Sequence, residues 1–153
     1  MEEDFFPNKI YCELAIVSDT IAPEQLTRNL NVLPDRFFSK GDTFKSKHSG
    51  SVVTRPYNLW AVSSDVTISD KQDVGQHILY LKSLFGDSFD KLTKLKEDDR
   101  LELTLWFWLE TEDAGAGFDI AEYEMAFVCS IANKVSFSVI SNIEKENFKN
   151  PLF

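Results

Sequence analysis

The pattern of apolar residues predicts an α+β chain: a two-layer sandwich of the ferredoxin-like, split β-α-β type, with an additional helix inserted between its two halves. Three observations carry this expectation. Four segments alternate apolar and polar residues with the period of two expected of a half-buried strand. Between them, apolar residues recur at i, i+3 and i+4, the stripe of a helix packed on a core. The order is strand, helix, strand, long helix, strand, helix, strand. Without the long helix, two successive strand-helix-strand units remain. In that topology the first and third strands are central neighbours, and here they are also the two most apolar strands.

The first strand is Ile10–Ser18, with Cys12, Leu14 and Ile16 on one face and Tyr11, Glu13, Ala15 and Val17 on the other. Pro23-Glu24 opens a helix, since a first turn tolerates proline and favours an acid. Leu26 and Leu30 share a face, and Asn31 with Pro34 ends the helix near Leu33. Residues 35–58 read as irregular, with Ser51–Thr54 as an edge strand or hairpin arm, and Leu59–Ser64 is the second strand. Ser69 and Gln72 have the spacing of a capping box for a helix carrying Val74, Ile78, Leu81 and Phe85. Gly86 interrupts it, Phe89, Leu92 and Leu95 continue it, and it stops before Asp98-Asp99, because acids oppose the dipole at a C-terminus. The third strand is Leu101–Glu110. Gly115 and Gly117 then form a flexible loop, and Asp119 with Glu122 is a second capping box. The last helix carries Ile120, Tyr123, Phe127 and Ile131, and Lys134–Ser141 is the fourth strand.

A length of 153 residues, 43% of them hydrophobic, suits one domain over 1–153. Its core is 10–141, with a polar arm at 1–9 and a tail at 142–153 whose Phe148, Leu152 and Phe153 fold back on the body. An acidic start without an apolar stretch is not read as a secretory signal, and no apolar run approaches the ~20 residues that cross a bilayer. The expected setting is the cytoplasm, with Cys12 and Cys129 as buried free thiols.

The third strand, LELTLWFWLE, has two chemistries. Leu101, Leu103, Leu105, Phe107 and Leu109 must be core, which leaves Glu102, Thr104, Trp106, Trp108 and Glu110 on the opposite face. With helices on one side of the sheet only, that second face carries the tryptophans together, by parity, with some of Tyr11, Glu13 and Trp60. Either the inserted helix, the 35–58 loop or the Phe-ended tail covers it and makes the rings core, or it is an acid-rimmed aromatic groove. The net charge is −9, and from Glu110 to Glu124 there are six acids and no base. Such a field repels phosphate backbones and attracts basic partners. Stacked aromatics on a sheet can hold RNA bases, but those platforms work among basic residues. Neither nucleic acid nor a membrane is expected as a partner.

Catalytic patterns are sparse. His48 and His77 show no ligand spacing for a metal, and no P-loop, nucleophile elbow or dinucleotide glycine pattern occurs. Gly115-Ala116-Gly117 sits among Glu110, Glu112, Asp113 and Asp119, a poor setting for an anion. Lys40-Gly41-Asp42 reads first as a fixed turn that delivers Arg36 and Phe37 to the sheet, and second as a charged pair at a cleft. No enzyme, cofactor or metal is expected.

Several of these segments together resemble a known family. They are Pro23-Glu24-Gln25-Leu26, then Pro34-Asp35-Arg36 leading to Lys40-Gly41-Asp42, then Leu59-Trp60-Ala61-Val62-Ser63-Ser64, and Leu105-Trp106-Phe107-Trp108 followed by a glycine-bearing loop. The chain resembles the bacterial domain-of-unknown-function family 4279 over roughly residues 10–143. Phe37 and Phe38 stand where that family often shows a tryptophan. The resemblance implies a small bacterial cytoplasmic protein and no particular activity.

Two functions of different classes follow. The first is a non-enzymatic, immunity-like binding protein that meets a basic protein partner through Glu110, Glu112, Asp113, Asp119 and Glu122. The second is a small-ligand or sensory domain with an aromatic pocket formed by Trp60, Trp106 and Trp108, with Lys40 and Asp42 beside it. Both a monomer and a homodimer are compatible with the sequence.

Overall fold

The computed structural model describes residues 7–113 and 115–142; the expected fold-back of Phe148, Leu152 and Phe153 lies outside them. The chain is a mixed α+β protein. Strands β1 (Lys9–Ser18), β2 (Arg36–Phe38), β3 (Thr43–Lys45), β4 (Val52–Thr54), β5 (Asn58–Ser63), β6 (Glu102–Thr111) and β7 (Lys134–Ser141) alternate with helices α1 (Pro23–Leu30), α2 (Val74–Phe85), α3 (Phe89–Lys96) and α4 (Glu122–Ile131). Five strands form one sheet in the order β2-β5-β1-β6-β7, and β3 and β4 form a separate hairpin.

The two strands expected at the centre, β1 and β6, are central neighbours. They pair antiparallel with Tyr11 opposite Trp108 and Glu13 opposite Trp106. The split arrangement departs from expectation. The strand expected at Leu59–Ser64 closes the first strand-helix-strand unit parallel to β1 in a split arrangement; instead β5 runs antiparallel directly beside β1, with Glu13 opposite Ser63. Short β2 is also antiparallel to β5, so β2 lies parallel to β1 with β5 between them. Apolar periodicity cannot separate the two possibilities, because a strand's side-chain alternation is identical in either direction. In the second unit, β6 and β7 are adjacent and parallel, with no strand between them. The ferredoxin-like order is therefore not the order of this sheet.

Helix starts differ from the capping boxes read in the sequence. Helix α2 is capped by Asp73, whose carboxylate accepts from the Gln76 amide at 3.0 Å, and not by Ser69. Helix α4 follows Ala121, whose amide donates to Glu124 at 2.9 Å, so Glu124 does the work assigned to Asp119 and Glu122. Asn31 adopts a left-handed conformation (φ 53°) and ends α1 one turn before Leu33. Gly86 (φ 26°) separates α2 from α3 through a short 3₁₀ turn. Residues 36–54, read as mostly irregular, supply the edge strand β2 and the β3–β4 hairpin.

All four helices contribute to one core against one face of the sheet. It joins Cys12, Leu14 and Ile16 of β1, Trp60 and Val62 of β5, and Leu103, Leu105, Phe107 and Leu109 of β6 to Leu26, Leu81, Leu92 and Ile131 of the helices. Helices α2 and α4 approach closely: a Cβ on Gly75 would stand 2.7 Å from a Glu124 carboxylate oxygen. The segment 70–97, expected as an insertion, is thus an ordinary part of this helical layer. No described helix covers the other face.

One polar cluster is locked inside. His77 is fully buried, and its Nδ1 lies 2.6 Å from the Ser64 hydroxyl. That hydroxyl oxygen also accepts from the Cys12 amide at 3.0 Å. Burial pushes the Cys12 thiol up to about 12, against a smaller opposing effect of its hydrogen bond to Ser64. Burial likewise lowers His77 below its usual range, opposed by the Ser69 backbone and by Asp73, Asp65 and Asp70. Cys129, expected to be buried, is exposed.

Candidate functional site

Cross-strand register decides what the open face presents, because residues opposite one another on a sheet share a face. One row reads Tyr11, Trp108, Ser138; the next reads Ser63, Glu13, Trp106, Ser136; a third reads Lys9, Glu110, Ile140. The rings in the first two rows stack. Trp106 and Trp108 have centroids 5.2 Å apart at 19°, and Tyr11 and Trp108 are 6.1 Å apart at 19°. Geometry of this kind adds to simple area burial. The three rings are half-buried, shielded by one another and by no second layer among the described residues.

Glu13 is buried beside this stack and bonds Arg36 of β2 at 2.6 Å. Here a charge sits on a sheet without desolvation left unanswered, since its partner reaches over from the edge strand. Beyond Ala61 and Ala15, the far end of the face is closed by Phe38, Leu59 and Val17.

At the Lys9 end, the segment that follows β5 crosses beside β1, where the Ile10 amide donates to the Asp70 carbonyl at 2.9 Å. It walls a cleft of about 520 Å³ lined by Tyr11, Trp108, Ile140, Lys9, Asp65, Asp70 and Glu110, among others. Three carboxylates therefore face one base, and that base, Lys9, lies 3.7 Å from Glu110. Tyr11 is raised above the ordinary phenol value, first by desolvation and then by Asp65 and Glu13, with Arg36 opposing. The Trp108 indole N–H is buried and finds no acceptor among the described residues. A buried donor without a partner is rare enough to require an explanation.

The sequence-read residues divide between several places. Trp106 and Trp108 lie on the open face as expected. Trp60 does not: it is fully buried among the helices, its Nε1 donating to the Thr27 hydroxyl at 3.0 Å. The parity of β5 explains this, since Leu59, Ala61 and Ser63 are the residues that share the face of Trp106. Lys40 and Asp42 are at the other end of β1. Asp42 accepts from the Ser39 amide at 2.8 Å, the Lys40 amide donates to Asn58 at 2.7 Å, and the Lys40 ammonium pairs with Asp19 at 3.5 Å. Gly41 has φ 92°, so this is a fixed turn. Neither residue lines the cleft.

The acidic residues also separate. Glu110 lines the open-face cleft and Glu112 and Asp113 follow it, both exposed. Asp119 instead lines a groove of about 830 Å³ between the first turns of α2 and α4, and Glu122 is exposed at the start of α4. That groove is larger, and its walls are mainly apolar, from Ile10, Val74, Ile78, Phe118 and Phe127. Its charges are of both signs, Lys71 and Lys82 with Asp73, Asp119 and Glu124, which gives no consistent preference for a ligand. Tyr11, Asp65 and Asp70 were missed as site residues. Parity placed Tyr11 on the right face, but nothing local marks Asp65 and Asp70 as cleft-lining.

A five-stranded sheet layered on one side by helices, with a stacked aromatic patch on the other, defines a small α+β domain. Its family is shown directly: the sequence model of the domain of unknown function family DUF4279 matches residues 8–142, and the chain belongs to that family. No curated protein and no solved structure matches the chain.

Proposed function

We propose that this chain is a non-catalytic binding protein that takes a cationic group of a basic protein partner into the cleft beside Tyr11 and Trp108. The observation that carries the reading is the stacked Tyr11–Trp108–Trp106 patch, with Asp65, Asp70 and Glu110 around its cleft and Lys9, the one lining base among the described residues, paired with Glu110. Aromatic faces attract an arginine or lysine head group, more strongly when it is partly desolvated. Exposed Glu112 and Asp113 would speed association at low salt and contribute less to final affinity. Small size and a net charge of −9 support an immunity-like role in a bacterial cytoplasm, in which a basic protein is neutralised by being bound. That last step is an analogy of class.

The second reading, a small organic cation or sensory ligand, is favoured by the size of the same cleft, about 520 Å³. The two separate in a titration of intrinsic fluorescence with an arginine-rich peptide and, in parallel, with free arginine and tetramethylammonium. Binding of the peptide alone, weakened at least ~10-fold by Trp108→Ala and by Glu110→Lys, is expected for a protein partner. Response to the free cations alone would select the small-ligand reading. Peptide binding unchanged in both variants would refute the cleft.

A further inference from the structure

Strand β7 ends the sheet, and its outer backbone edge has no strand partner among the described residues. It is eight residues long and carries an apolar row, Val135, Phe137 and Val139, at 39%, 55% and 57% exposure. Long, apolar, unblocked edges are templates for a further strand, and proteins ordinarily protect them with a charge, a bulge or a proline. The one charge here, Lys134, stands at the first position of the strand and pairs with Glu102 at 2.7 Å, which leaves the following seven residues of the edge without a charge.

We propose that the occupant of this edge is β7 of a second copy, paired antiparallel about a two-fold axis to give one continuous ten-stranded sheet. The sequence of the strand is self-complementary in that arrangement. Paired residues must share a face, so with Phe137 on the axis opposite its own copy, Val135 stands opposite Val139 on the helix side. On the open side, Ser136 stands opposite Ser138 and Lys134 opposite Ile140. The apolar row therefore meets itself, as an isologous interface requires. Phe137 is already held for this contact. It stacks on Phe107 at 5.5 Å and 18° and packs against Phe118 at 5.9 Å, leaving its remaining surface outward.

The area involved sets the strength. The exposed parts of Val135, Phe137, Val139 and Ile140 amount to roughly 400 Å² per copy, about half of what a standard stable interface buries on each partner. The dimer is accordingly a weak one, with a Kd on the order of 10–100 µM. Three strand spacings separate the two β6 strands, so the open faces merge into a serine-floored channel ~14 Å wide between two indole strips. Trp108 of one copy then shares a row with Trp106 of the other, and the candidate site is doubled on one surface.

Sedimentation velocity of the full chain, from about 1 to about 500 µM, tests this directly. The expected result is a monomer that becomes a dimer with concentration, and an association weakened at least ~10-fold in Val139→Lys and, separately, in Val135→Glu. Both positions are exposed in the monomer, so both variants fold, as circular dichroism should verify. Tyr123→Ser, at an exposed position on α4, leaves association unchanged. A monomer across the whole range overturns the proposal. So does a dimer indifferent to both β7 substitutions, which would place the contact elsewhere. Protection of β7 and 143–153 together from hydrogen exchange in a monomer would also overturn it, by making the chain's own end the occupant.

Discussion

The two faces of the central sheet are built from the same three strands and obey opposite rules. On the helix side, Cys12, Leu14 and Ile16 lie against Leu105 and Phe107, with at most 1% exposure. On the open side, the intervening residues are Tyr11, Glu13 and Ala15 against Trp106 and Trp108. The first face is apolar throughout apart from the Ser64–His77–Cys12 cluster at its margin. The second mixes rings with a partly buried ion pair and ends in a carboxylate-lined cleft. Large rings are therefore not equivalent along this chain: Trp60 is a core residue with its N–H satisfied, whereas Trp108 lies half-buried on the open face, its buried N–H without an acceptor among the described residues.

The sharpest way to break this comparison is to truncate neighbours on one strand. Phe107→Ala should cost ~3–5 kcal/mol in chemical denaturation, whereas Trp108→Ala should cost less than ~2 kcal/mol, because its site opens to solvent and leaves no enclosed void. Equal losses would mean that both faces are core. Next in size is the ion pair. Arg36→Ala leaves the Glu13 carboxylate buried without its partner and should cost ~1–3 kcal/mol, reduced from the full buried-pair value because the arginine is more than half exposed. Adding Glu13→Gln should recover most of that loss, and a double-mutant cycle measures it.

On the helix face, His77 supplies a pH dependence. Its folded value lies below the ordinary imidazole value of 6.5, so the unfolded chain binds the proton more readily. Stability is complete above pH 6.5 and falls as pH drops through the unfolded value, by at most ~1.4 kcal/mol per pH unit. Melts in the His77→Gln variant should lose that slope between pH 6.5 and the lower folded value. The smallest effect concerns the thiols. Cys129 should react with a disulfide reagent in the native state and Cys12 only on unfolding, because burial keeps Cys12 protonated and inaccessible.

Much of the fold could be read from side-chain period alone. The alternation in LELTLWFWLE identified both the buried row and the tryptophan row, and the stripe Val74, Ile78, Leu81, Phe85 fixed the inner side of α2. His77 falls on that same stripe, three residues after Val74, so its burial was also legible. Strand direction was not, which is why β5 was assigned to the wrong place in the first unit. Three-residue β2 has too few residues for a period to register. The candidate site was half legible: Trp106, Trp108, Tyr11 and Glu110 follow from parity, but Trp60 needed the register of β5. Asp65 and Asp70 come from a connection whose path is set by the Asp70 carbonyl bonding β1, a long-range contact with no local signature.

The central claim is that Trp106 and Trp108 form an accessible face while Trp60 is sealed. Acrylamide quenching of the full chain tests it most directly when each group is isolated, by Trp60→Phe on one side and by the Trp106→Phe/Trp108→Phe pair on the other. The account predicts substantial quenching in the first protein and almost none in the second. Weak quenching in both would contradict it, since the aromatic face would then be covered and could not be the place where a partner binds.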